Sequence, residues 1–214
     1  MNLINAGIWD EPQSWVKQPV SVNLGSDVTS IGASVFSYSS LQSVTIPSSM
    51  LSIGDNAFEG CEELTSIVMP SNDVYVGDLA FSGCVGLANA NGFVIIQGGL
   101  YGYYGMSNSI TIPSNVTEIR EEVFAGNADL TSVTIPYGVT YIGRSAFIAC
   151  TGLTSMTIPS NVTSIENNAF AECDGLINIV ISDSVTSIGE QAFANCTSLA
   201  HVTINDYNGD ADNV

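Results

Sequence analysis

One phrase, close to Val-Thr-x-Ile-x-x-x-Ala-Phe-x-x-Cys-x-x-Leu-x-x-Val-Thr-Ile-Pro, recurs about seven times. It places phenylalanines at Phe36, Phe58, Phe81, Phe124, Phe147, Phe170 and Phe193, with gaps of 22, 23, 43, 23, 23 and 23 residues. A unit of some twenty residues is too short to bury its own apolar face, so a fixed period of this size predicts a solenoid in which neighbouring coils cover one another. Most of the chain is then scaffold. Function is to be sought on the outward columns and where the period fails.

Coil geometry follows from the residues. In Leu153-x-x-Met156-x-Ile158 the apolar offsets 0, 3 and 5 match the strand of a leucine-rich repeat. Alternation predicts Met156 and Ile158 inward and Ser155 and Thr157 outward, with Pro159 ending the strand. Val162 to Ile165 reads as a second short strand in a second parallel sheet. Ala169, Phe170, Cys173 and Leu176 recur at helical spacing, which predicts a short helix or 3₁₀ turn. The first strand can be read eight times, ending inward at Leu24, Ile46, Met69, Ile112, Ile135, Ile158, Ile181 and Ile204. Residues 1–18, with Trp9 and Trp15, read as a cap over the first coil, although paired tryptophans also suit stacking on a sugar. Residues 19–205 form the solenoid, and 206–214 an acidic tail.

With 214 residues and 45% hydrophobic content the chain can bury a substantial core, and one elongated domain is the simplest expectation. Three cations (Lys17, Arg120 and Arg144) face 21 acidic side chains, a net charge of -18. That balance repels phosphate backbones and anionic lipids, so neither nucleic acid nor an acidic membrane is an expected partner. No run of apolar residues is long enough for a membrane span, and Met1 to Pro12 lacks a basic-then-apolar secretory pattern. Surface display would then rest on a signal outside this chain or on a larger assembly.

Cys61, Cys84, Cys150, Cys173 and Cys196 each follow a repeat phenylalanine by three residues, and Ser39 and Asn127 stand at the same place after Phe36 and Phe124. An odd cysteine count in a secreted protein can signal a reactive thiol. The regular spacing favours buried, unpaired packing cysteines stacked as a ladder, and no second ligand recurs with them to hold a metal.

The repeated Ile-Pro pairs (Ile46-Pro47, Ile112-Pro113, Ile135-Pro136, Ile158-Pro159), with Val-Thr-Ser-Ile, Ala-Phe and Cys-x-x-Leu, closely resemble the BspA-like leucine-rich repeat family of bacterial and protist surface proteins, over about residues 19–205. The resemblance implies a right-handed leucine-rich repeat solenoid with parallel sheets. It also implies display outside a cell or on a particle, and binding to proteins or surfaces. It supplies no catalytic residue.

The period fails once. Between Phe81 and Phe124 there are about 20 extra residues, at 88–107. Phe93-Val-Ile-Ile96 and Leu100-Tyr-Gly-Tyr-Tyr104 flank Gln97-Gly98-Gly99, the pattern of a β-hairpin. Phe93, Tyr101, Tyr103 and Tyr104 are either a recognition surface, as insertions in solenoids frequently are, or rings packed on a neighbouring coil. The outward strand face carries two columns. One holds Ser43, Ser109, Ser132 and Ser155, the other Thr45, Thr111, Thr134 and Thr157. Serine and threonine here either serve solubility and strand propensity or form a regular hydroxyl array for a glycan, a protein or even ice.

Weaker signals remain. Asp206, Asn208, Asp210 and Asp212 are spaced like the first half of a calcium loop without the closing glutamate, so an acidic tail is the plainer expectation and no metal or other cofactor is expected. Asn115-Val-Thr117, Asn161-Val-Thr163 and Asn195-Cys-Thr197 match a glycosylation acceptor, but largely as products of the repeat. His201 is the only histidine, and no nucleophile–base pair accompanies it. The sequence therefore predicts a non-enzymatic recognition or adhesion module at a cell or particle surface. The competing expectation is a building block of a layer, fibre or virus particle, joined through its solenoid ends.

Overall fold

The computed structural model describes residues 21–205. Among them the secondary structure is short strand almost throughout. The first strand of successive coils is β1 (Ser21–Asn23), β3 (Ser43–Thr45), β5 (Ser66–Val68), β9 (Ser109–Thr111), β11 (Ser132–Thr134), β13 (Ser155–Ile158), β15 (Asn178–Ser182) and β17 (His201–Asn205). The second strand is β2 (Ser30–Ile31), β4 (Ser52–Ile53), β6 (Tyr75–Val76), β10 (Glu118–Ile119), β12 (Tyr141–Ile142), β14 (Ser164–Ile165) and β16 (Ser187–Ile188). The irregular coil contributes β7 (Phe93–Ile96) and β8 (Gly99–Tyr103). The molecule is a β-solenoid of leucine-rich repeat type. Its described residues divide into two compact units, 21–97 with 101–104, and 98–100 with 105–205. The boundary between them falls in the insertion.

In the first unit β1-β3-β5 and β2-β4-β6 form two parallel sheets. In the second, β9 pairs with β11, and β13-β15-β17 form a further sheet. Its opposite sheet runs β16-β14-β12-β10, with Gly99 and Leu100 paired to Glu118 and Ile119. Every register matches equivalent repeat positions, because a slip of one residue would turn the buried isoleucines to solvent. In β13 the alternation is as the sequence predicts, with Met156 and Ile158 buried and Ser155 and Thr157 exposed.

The Ala-Phe corner is not the helix or 3₁₀ turn its apolar spacing suggests. Among the described residues the one 3₁₀ turn is Val85–Leu87, and the corners are strings of tight turns. The residue two before each repeat phenylalanine has a positive φ: Ser34, Asn56, Leu79, Glu122, Ser145, Asn168 and Gln191. This conformation is unfavourable for a residue with a side chain, and hydrogen bonding between coils offsets the cost. Phe36, Phe58, Phe124, Phe147 and Phe170 each donate an N–H to the alanine carbonyl of the next coil at 2.8 Å. The corner is therefore a third ladder, formed by turns instead of strands.

Packing follows the same columns. Within the first unit the rings of Phe36, Phe58 and Phe81 stack at 5.3 and 5.2 Å. Within the second, Phe124, Phe147, Phe170 and Phe193 stack at 4.9, 5.0 and 5.4 Å. Glycine after the second strand lets coils close up: a Cβ on Gly143 would stand 2.8 Å from the Arg120 carbonyl carbon.

Candidate functional site

The cysteine column is interior. All five cysteines are free thiols; four are buried and Cys196 is partly exposed. Each Sγ–H donates to the carbonyl of the phenylalanine one coil earlier: Cys61 to Phe36 at 2.9 Å, Cys84 to Phe58 at 3.0 Å, Cys150 to Phe124 and Cys173 to Phe147 at 3.1 Å, and Cys196 to Phe170 at 3.0 Å. Burial pushes the thiols of Cys84, Cys150 and Cys173 up to about 12, so they remain protonated donors and poor nucleophiles. Ser39 takes the same place in its coil, 3.3 Å from Cys61 Sγ. Among the described residues no group of three or more histidine, cysteine or acidic side chains is arranged to hold a metal ion. The weak calcium candidates Asp206, Asn208, Asp210 and Asp212 lie outside the described residues, as do Trp9 and Trp15.

The insertion folds as the predicted hairpin. Gln97 (φ 47°) and Gly98 (φ 83°) form a two-residue turn with both angles positive, the type whose twist suits paired strands. The Gln97 side-chain amide donates to the carbonyls of Pro70 at 3.3 Å and Asn72 at 3.1 Å. Its aromatics divide by role. Phe93, Tyr101 and Tyr103 are buried. Phe93 and Tyr103 pack at 5.0 Å, and Tyr101 meets Phe81 edge-on at 5.4 Å and 83°. Tyr101 thus covers Phe81, the last phenylalanine of the first unit's stack. Tyr104 is 39% exposed, and its hydroxyl accepts a 2.7 Å hydrogen bond from Gly83 N–H. Burial raises the Tyr104 pKa, and the Gly83 bond partly opposes it. Of the two readings of these rings, packing fits Phe93, Tyr101 and Tyr103. The rings of Phe93, Tyr101 and Tyr103 bury apolar area where the regular coil is interrupted, which leaves Tyr104 as the partly accessible ring.

The hydroxyl columns remain outward. Ser21, Ser43 and Ser66 stand opposite one another, as do Ser109 and Ser132, and Thr111 and Thr134. Ser155 opposes Asn178 and His201, and Thr157 opposes Val180 and Thr203. Thr45, Ser109, Thr111, Ser132, Thr134, Ser155 and Thr157 are exposed and Ser43 is half-buried. His201 is an ordinary outward member of its column. A second threonine column, which sequence reading did not single out, lies in the second unit. The hydroxyls of Thr140, Thr163 and Thr186 donate to the carbonyl of the previous threonine at 3.3, 3.3 and 3.2 Å. Their even spacing by one period was the signal available. The two described arginines are both paired, Arg144 with Glu121 one coil away at 3.1 Å and Arg120 with Glu118 at 3.0 Å.

Against known proteins, the family description "BspA type Leucine rich repeat region (6 copies)" matches residues 15–97 and 94–212. Among solved structures, a leucine rich cell surface protein of Faecalibacterium prausnitzii is 30% identical, with a TM-score of 0.53, over 90% of this chain and 62% of that one. The pneumococcal vaccine antigen PcpA shares the fold at 19% identity and a TM-score of 0.53, over 93% of this chain and 65% of that one. The chain thus spans less than two thirds of the length of either. No curated protein matches. With both stretches of repeat accounted for, the chain belongs to the BspA-type leucine-rich repeat family.

Proposed function

We propose that this chain is a non-enzymatic recognition module, displayed outside a cell or on a particle, that engages a protein or glycan through the outward serine and threonine columns of its first strands. The observation that carries this reading is the in-register pair of exposed columns Ser109–Ser132 and Thr111–Thr134, with Ser155 and Thr157 exposed at the same repeat positions one coil on. Parallel strands repeat such hydroxyls about every 4.8 Å, a rigid array suited to a partner that presents many similar groups. The surface location is supported by the description of the F. prausnitzii relative as a cell surface protein.

The test replaces Thr111, Thr134 and Thr157 with lysine, which places long charged chains on the array without touching the core. Wild type and variant are compared on a printed glycan array and on immobilised mucin. Loss of binding with an unchanged melting temperature supports the reading, and undiminished binding removes it.

A second reading, assembly through coil ends, is favoured by one contrast. Ile165, Ile179 and Ile181 are buried, whereas Ile188, Val202 and Ile204, which pair with them, are 48%, 56% and 69% exposed. Light scattering after size exclusion decides it: growth in mass with concentration supports assembly, and a constant monomer mass removes it.

A further inference from the structure

The face of the β2-β4-β6 sheet departs from the repeat in adjacent coils. Leu51 stands where the first coil has Thr29 and the second unit has Thr117, Thr140, Thr163 and Thr186. Tyr75 pairs with Ser52, which pairs with Ser30, so it stands in a serine column. Both are 66% exposed. Tyr75 N–H donates to the Leu51 carbonyl at 3.0 Å, so the two are immediate neighbours across coils. Tyr141 occupies the corresponding place in the second unit, where it is only half-buried. Leu51 and Tyr75 stand outside the core, whereas Ile53 and Val76 close by in sequence are buried.

The surroundings carry one sign of charge. Asp73 precedes β6, and Asp55 and Asp78 follow β4 and β6; all three are exposed. Asp55 Oδ1 accepts from Asp78 N–H at 3.0 Å, which ties the two strand ends together. Across the described part of this unit the ionisable side chains of definite charge are Asp27, Asp55, Glu59, Glu62, Glu63, Asp73 and Asp78, with no lysine, arginine or histidine.

We propose that the Leu51–Tyr75 face docks a basic polypeptide segment, in which arginine or lysine side chains lay their apolar stems on Leu51 and the Tyr75 ring and reach the carboxylates of Asp55, Asp73 and Asp78. An anionic partner is disfavoured by like charge, and a neutral glycan would leave the carboxylate rim without a role. A cation over a tyrosine face adds attraction to the ion pairs, and complementary charge accelerates association at low salt. This inference rests on the reading of the chain as a binding module, names a partner class, and uses a different face from the hydroxyl columns.

The experiment titrates the 214-residue protein with two synthetic peptides, one alternating arginine with valine and one alternating glutamate with valine. Three variants are compared: Leu51→Thr with Tyr75→Ser, which restores the repeat; Asp55→Asn with Asp73→Asn and Asp78→Asn; and, as an equal charge change elsewhere, Glu172→Gln with Asp174→Asn and Asp183→Asn. The expected result is binding of the arginine peptide only, weakened about tenfold or more by either of the first two changes and left within about twofold by the third. The salt dependence should fall in the aspartate variant. Failure of the arginine peptide to bind overturns the proposal, and so does equal weakening by all three variants, which is plain polyelectrolyte attraction. The Thr111, Thr134 and Thr157 lysine variant runs in parallel. If its array binding behaves as proposed while the arginine peptide fails, only the basic-partner inference falls.

Discussion

The hydroxyl of Tyr104 accepts a 2.7 Å hydrogen bond from the backbone N–H of Gly83. In a regular coil that N–H would donate to the next coil: Gly60 donates to the Ser82 carbonyl at 2.7 Å. A side chain of the insertion therefore takes the place of a backbone carbonyl and ends the corner ladder. Tyr104→Phe keeps the ring and removes the acceptor. It should destabilise the chain by about 1 kcal/mol and speed hydrogen exchange at the Gly83 amide, measured by urea unfolding and by exchange followed with NMR.

The thiol column makes stability fall in alkali. Cys84, Cys150 and Cys173 titrate near 12 in the folded chain, because burial disfavours the thiolate, against about 8.5 when exposed. The unfolded chain releases these protons first, so the thiol contribution is intact below about pH 8.5 and declines as pH rises toward 12. A urea midpoint series from pH 7 to about 11 should fall through that window, and the decline should be shallower in a variant with Cys150→Ser and Cys173→Ser. In the native state at neutral pH a disulfide reagent should modify Cys196 first and leave the other four nearly untouched.

Phe147 stacks between Phe124 at 4.9 Å and Phe170 at 5.0 Å and is fully buried. Phe147→Ala removes contacts on both sides and should cost about 3–5 kcal/mol. Gly143→Ala should cost about 1–3 kcal/mol, because its Cβ would press on the Arg120 backbone. Calorimetry on both variants checks the order of the two effects.

Legibility in the sequence tracked periodicity. The inward positions of Ile46, Ile112, Ile158 and Ile181, the buried cysteine column and the hairpin around Gln97-Gly98-Gly99 were readable, because each depends on spacing or on local turn chemistry, whereas Ile204, in the same column, is 69% exposed. The spacing at the corner suggests a helix or 3₁₀ turn, and the corner is neither. Ala169, Phe170, Cys173 and Leu176 show a helix-like stripe, while the positive φ at Asn168 is stabilised by its N–H bond to the Glu190 carbonyl one coil away at 3.0 Å, a contact invisible to local propensity. The roles of the hairpin rings were unreadable for a similar reason. Tyrosine is equally suited to a contact surface and to packing, and only the position of Phe81 decides that Tyr101 packs.

The insertion completes the scaffold by covering Phe81, and we propose that recognition lies on the outward columns. The urea midpoint of Tyr101→Ala tests the scaffold role most directly, since this ring covers Phe81 at 5.4 Å. Loss of a buried aromatic should lower stability by about 3–4 kcal/mol and shift the midpoint accordingly. An unchanged midpoint would mean that the ring supports nothing, and would return the hairpin to the role of a contact surface.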